Sequence, residues 1–173
     1  VIRRHAGEIA AVIVEPVQSR HPDLQPREFL QELRKVTREG EIALIFDEVI
    51  TGFRVAPGGA QEYFGVKADM ATYGKVIGGG MPIGVLAGSA AYMDALDGGF
   101  WQYGDDSSPP TGVTFFAGTF VRHPLAMAAA HAVMKHLKSA GPSLQEQANR
   151  VSARFVDGAN RFFKDRELPM RLQ

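Results

Sequence analysis

The chain has 173 residues, 45% hydrophobic and 22% charged, with a formal net charge of zero. That composition suits one globular domain or a piece of a larger one, excludes a disordered tail and offers no basic surface for nucleic acid or anionic lipid. No apolar run reaches the roughly 20 residues of a membrane helix, and the absence of cysteine excludes disulfides and thiolate metal sites, in keeping with a cytoplasmic protein.

Ile9 to Val14 is a short, almost wholly apolar run stopped by Glu15-Pro16, and Ala43 to Phe46 is another, stopped by Asp47-Glu48. Runs of this kind predict strands covered on both faces, as in a parallel sheet. Between them Phe29, Leu30, Leu33 and Val36 recur at helical spacing, with Pro26 to start the helix and Gly40 to end it. The strand-helix-strand unit that results makes the fold α/β, a mostly parallel sheet with covering helices.

Further short strands are expected at Met70 to Tyr73, Val85 to Gly88 and Val113 to Phe116. Asp97 to Gly112, rich in Gly, Pro and Ser, reads as one long irregular loop. Leu125 to Lys138, rich in Ala and Met, reads as a buried helix. A second long helix, Ser143 to about Lys164, carries Leu144, Ala148, Val151, Phe155 and Phe162 on one face, with Gly158 weakening its middle. The opening at Val1 and the closing run Leu168 to Gln173 read as an internal piece of a longer protein.

Two chemical groups stand at the ends of core segments. Leu44-Ile45-Phe46 runs into Asp47, and Met70 to Tyr73 runs into Gly74-Lys75-Val76-Ile77-Gly78-Gly79-Gly80. A pyridoxal phosphate site needs such a pair: an amine for a Schiff base with the aldehyde, and an anion that keeps the pyridinium nitrogen protonated. Asp47, at the carboxyl end of a strand, lies where open α/β sheets place ligands. Lys75 would carry the Schiff base and then move the proton. The glycines after it would let the backbone pass close to the cofactor. Gly118-Thr119 offers amides and a hydroxyl suited to phosphate.

Other chemistry fits the same residues less well. An apolar strand ending in Asp-Glu also resembles a Walker B element, but a P-loop requires Gly where Asp69 stands and a hydroxyl where Val76 stands. Gly78 to Ile83 lacks the dinucleotide fingerprint. Among five histidines, His131 and His136 splay around a helix, and no HExxH motif is present, so no metal site is expected. Taken singly, Asp47 could cap a turn, Lys75 could be a surface lysine and the glycines could build a hairpin.

The wording of the sequence carries a resemblance. Val14-Glu15-Pro16-Val17-Gln18, Phe46-Asp47-Glu48-Val49-Ile50-Thr51-Gly52-Phe53-Arg54, Tyr73-Gly74-Lys75-Val76-Ile77-Gly78-Gly79-Gly80 and Gly118-Thr119-Phe120 through His123-Pro124-Leu125-Ala126 resemble class III aminotransferases, in that order. Gly52 to Gly88 looks most like glutamate-1-semialdehyde aminomutase. Phe115 to Ala130 looks more like the aminotransferase domains embedded in hybrid polyketide/non-ribosomal peptide synthetases of the microcystin and nodularin type.

The resemblance implies that residues 1–173 are the central part of the large domain of a fold type I transferase that uses pyridoxal 5'-phosphate. It implies Asp47 on the pyridinium nitrogen, Lys75 in the Schiff base, and Thr119 with Gly118 at the phosphate of the other subunit's cofactor, hence a homodimer with shared sites. It also implies transfer from an amino-acid donor to a β-keto acyl intermediate tethered to a carrier protein, in toxin biosynthesis. A stand-alone aminomutase and a non-catalytic packing or dimerisation fragment remain alternatives. Three departures stand out. Ser19-Arg20 follow Gln18 where many members read Gly-Glu, Ile50 stands where some carry Gln, and His123 replaces the usual Asn.

Overall fold

The computed structural model describes residues 1–94, 104, 106 and 121–172. Its centre is a four-stranded sheet in the order β1 (Ala11–Val14), β2 (Ala43–Asp47), β3 (Met70–Gly74), β4 (Gly84–Gly88). The first two pairings are parallel, with Val14 opposite Phe46 and Asp47 opposite Thr72. The last is antiparallel, with Gly74 opposite Gly84 and Met70 opposite Gly88. The expected mostly parallel α/β sheet is therefore present.

Helix α1 (Arg27–Glu39) connects β1 to β2, starting after Pro26 and stopping at Gly40 as its sequence signals require. Leu30, Leu33 and Val36 are buried on its inner face. Leu30 and Leu33 form one core with Leu44 and Phe46 of β2, Ala60 and Phe64 of α2 (Gly59–Phe64), and Val66, Ala68 and Ala71. Phe29, expected on that face, lies one position off it and is exposed.

Two arginines fasten α1 to its surroundings. Arg27 donates to the carbonyls of Tyr63 and Phe64, each at 2.7 Å, satisfying acceptors at the end of α2 that have no helical partner. Arg34 pairs with Asp69 at 2.7 Å, and the same Asp69 oxygen accepts the Leu44 N–H at 2.8 Å. That carboxylate therefore ties α1, β2 and the entry to β3 together.

The remaining elements form near their expected bounds, and it is the burial of β1, α4 and α5 that departs from the sequence expectation. Among the described residues β1 is the edge strand and is not covered on both faces, and Ile13 is 63% exposed because no described element packs over it. After α3 (Ala90–Met93), α4 (Pro124–Ala140) forms close to its expected bounds, but Ala126 is its one buried residue. Leu125, Met127 and Met134 stay exposed, so α4 is not a buried helix among the described residues. α5 (Pro142–Asp165) runs on through Gly158. Its apolar stripe forms, yet Val151, Phe155 and Phe162 face solvent, and the residue that α5 buries is Gln145. Among the described residues, no helix is long and apolar enough to cross a membrane.

Candidate active site

The carboxyl ends of β2 and β3 lie side by side, and each delivers one of the groups singled out in the sequence. Asp47 closes β2 half-buried. Its Oδ1 accepts the Thr72 hydroxyl at 3.0 Å and the Val49 N–H at 3.1 Å. Two donors on one oxygen fix the carboxylate's rotation, and Oδ2 has no hydrogen-bond partner among the described residues.

Lys75 follows Gly74, the last residue of β3, and opens a short 3-10 turn over Lys75–Gly78. The parallel register puts Thr72 beside Asp47, and Lys75 follows three residues later, just past the end of β3. Its φ is 48°, a left-handed conformation that non-glycine residues rarely adopt. Such a backbone persists only where surrounding structure holds it. The side chain is exposed, and no ion pair joins it to Asp47 among the described residues. Among the described residues, a carboxylate with one oxygen unbonded and an amine without an ion-pair partner thus stand at the end of the sheet where open α/β folds receive ligands.

The turn after Lys75 is seated on its own neighbours at two of its glycines. A Cβ on Gly78 would come within 2.9 Å of Ile83 Cγ2. One on Gly79, whose φ is 58°, would come within 2.9 Å of Val133 Cγ2 on α4. Packing within the chain restricts both positions to glycine. Gly118 and Thr119, the expected phosphate ligands, lie outside the described residues, as do the expected strand Val113 to Phe116 and nearly all of the Asp97 to Gly112 loop.

Sequence reasoning assigned no role to Glu48 or Thr72. Glu48 is 1% exposed, and its side chain is fully engaged. Oε2 accepts the Thr51 hydroxyl at 3.0 Å and the Ala60 N–H at 2.6 Å, and Oε1 accepts the Gln61 N–H at 3.3 Å and Gln61 Nε2 at 3.2 Å. Gln61 Nε2 also reaches the Tyr73 hydroxyl at 3.2 Å, and Gln61 Oε1 accepts the Ala68 N–H at 3.0 Å. The Tyr73 hydroxyl is pushed above its ordinary pKa by burial and then by the negative charge of Glu48, with the Gln61 bond opposing. Tyr73 packs its ring on Phe53 with centroids 5.4 Å apart, and a Cβ on Gly52 would lie 2.7 Å from that tyrosine ring. From α5, Gln145 donates to the Phe53 carbonyl and Asn149 to the Val55 carbonyl, each at 3.1 Å. The clue available in the sequence was spacing: Thr51-Gly52 shortly after Glu48, and Gln61 opening the next helix.

Over residues 1–171 the chain matches the family described as Aminotransferase class-III. The glutamate-1-semialdehyde 2,1-aminomutase of Acetivibrio thermocellus is 43% identical over 165 residues, an alignment covering 95% of this chain and 36% of that protein. Among solved structures, an omega-transaminase from Sphaerobacter thermophilus superposes with a TM-score of 0.83 at 32% identity, covering 99% of this chain and 36% of that one. A transaminase with PLP bound gives 0.81 at 28% identity, covering 98% and 37%. The chain thus spans little more than a third of the length of each.

Proposed function

Because this chain belongs to the class III aminotransferase family, we propose that it is the cofactor-anchoring part of an enzyme that moves amino groups with pyridoxal phosphate, the cofactor of this family. When bound, that group supplies an electron sink for charge developing on the substrate carbon. The observation that carries the reading is the register of β2 on β3, which sets Asp47 beside Thr72 with Lys75 just beyond the same strand end.

Each residue has a task that its surroundings support. Asp47 Oδ2, without a partner among the described residues, is the acceptor for a protonated ring nitrogen, while Thr72 and Val49 stop the carboxylate from turning away. Lys75 would be the covalent anchor, and its Nζ would take and return the proton at the substrate carbon. Gly118 and Thr119 would hold the phosphate across the interface of a homodimer with shared sites, as the family resemblance implies.

For the substrate, we propose transfer from an amino-acid donor to a β-keto acyl group tethered to a carrier protein. The resemblance of Phe115 to Ala130, including Val121-Arg122-His123-Pro124, supports this reading. A second reading, the aminomutase reaction, is favoured by the identity to glutamate-1-semialdehyde 2,1-aminomutases, 43% for the Acetivibrio protein. The experiment is to supply the full-length, cofactor-loaded parent protein with glutamate-1-semialdehyde alone, and separately with glutamate plus a β-keto thioester. Amination of the thioester supports the tethered-substrate reading, and isomerisation without a second keto compound supports the aminomutase. Neither reaction in a folded protein would leave a packing role for the chain.

A further inference from the structure

With Asp47 and Lys75 taken as the cofactor residues, a premise carried over from the proposed function, the buried carboxylate next to Asp47 gains a role. We propose that Glu48 is a positioning residue that fixes Asp47 relative to Lys75, acting on β3 through Gln61 and Tyr73.

Successive residues of a strand face opposite sides, so Glu48 turns away from the side that Asp47 serves. Its backbone N–H donates to the Thr72 carbonyl at 2.9 Å, extending the β2–β3 ladder one residue beyond Asp47. Its side chain takes four neutral donors from Thr51, Ala60 and Gln61. A carboxylate is the side chain that can accept all four at once. Gln61 passes the constraint to the Tyr73 hydroxyl, two residues before Lys75. Little slack is available: a Cβ on Gly59 would collide with Glu48 Oε2, and one on Gly52 would lie 2.6 Å from the Glu48 carbonyl oxygen. The two strand ends that carry Asp47 and Lys75 are therefore joined twice, by Thr72 on one face and by the Glu48-Gln61-Tyr73 chain on the other.

Replacing Glu48 with Gln puts an amide N–H against at least one of these donors. Replacing Gln61 with Glu in the same protein restores most of the complementarity, because the new carboxylate accepts from the amide at position 48, from Ala68 and from the tyrosine hydroxyl. The test uses the full-length parent protein loaded with pyridoxal phosphate, comparing wild type, Glu48→Gln, Glu48→Gln/Gln61→Glu and Tyr73→Phe. The readouts are kcat, KM for the amino donor, the pH midpoint of the bound cofactor's absorbance band, and borohydride trapping on the Lys75 peptide.

Glu48→Gln is expected to lower kcat about tenfold, leave KM within twofold and shift the absorbance midpoint, with at least half of the lost rate recovered in the double variant. Should Glu48→Gln fail to fold, Tyr73→Phe, which keeps the ring and removes only the hydroxyl, is expected to change kcat and the midpoint in the same direction. Unchanged kcat and midpoint in the folded variants, with a normal Lys75 adduct, would overturn the positioning role alone. A change confined to melting temperature would do the same. Absence of the adduct in wild type would overturn the Lys75 reading, and this proposal with it.

Discussion

Thr72 donates its hydroxyl to Asp47 Oδ1 at 3.0 Å from the position directly opposite in the parallel β2–β3 register. The contact ties the proposed ring-nitrogen acceptor to the strand that runs into Lys75. A hydrogen bond to an ionised group contributes about 1.5–3 kcal/mol, and the partial exposure of Asp47 places this one at the lower end. In the full-length protein, Thr72→Val is therefore expected to weaken pyridoxal phosphate binding roughly tenfold, whereas Thr72→Ser keeps it near wild type. Equal affinity in the valine variant would show that Asp47 is held without Thr72.

Gly59 and Gly65 flank α2 with nearly the same backbone, φ 67° and 68°, but in different surroundings. A Cβ on Gly65 meets nothing within 4 Å, whereas one on Gly59 runs into the buried Glu48 carboxylate. Gly65→Ala should cost about 1–2 kcal/mol for the left-handed conformation alone. Gly59→Ala adds the displacement of a fully bonded carboxylate, about 2 kcal/mol more. Thermal unfolding of the two variants in the parent protein measures the difference, and equal melting temperatures would contradict it.

The raised pKa of Tyr73 has a defined consequence for stability against pH. Below the unfolded value, about 10, the tyrosine is protonated in both states and favours neither. As pH rises past it, the unfolded chain releases the proton first, so the folded protein holds more protons and loses stability. Removing the group by Tyr73→Phe should make the decline above about pH 10 shallower. Parallel stability curves in the two proteins would show that the tyrosine titrates normally.

An exposed apolar stripe on α5 has consequences for the 173-residue chain taken by itself. Val151, Phe155 and Phe162 of α5, with Leu125, Met127 and Met134 of α4, face solvent among the described residues. Sedimentation velocity should show association that grows with concentration. A monomer at every concentration, with one cooperative unfolding transition, would contradict this.

Much of this arrangement was legible in the residues. Apolar runs ended by Asp47 and by Gly74-Lys75 announced two strand ends, and Pro26 and Gly40 bracketed α1 within a residue. What escaped was anything that depends on neighbours remote in sequence. The same apolar pattern that buries Leu44 and Phe46 leaves Ile13 exposed, because pattern records a face and not whether something covers it. The Ala- and Met-rich run of α4 misled for the same reason. Glu48 was overlooked because an acidic residue beside Asp47 gives no sign of being buried; its partners Ala60 and Gln61 reach it only once the chain has folded back through α2. The glycines after Lys75 were read as room for a ligand, and the crowding of Gly78 by Ile83 and of Gly79 by Val133 could not be read from the sequence.

The central claim is that Lys75 is the covalent anchor of the cofactor, and borohydride reduction of the full-length protein followed by peptide mass mapping tests it most directly. The account predicts a reduced pyridoxyl adduct on the peptide containing Lys75, abolished in Lys75→Ala while the protein stays folded. A folded protein supplied with pyridoxal phosphate that yields no adduct, or an adduct on a different lysine, would contradict it.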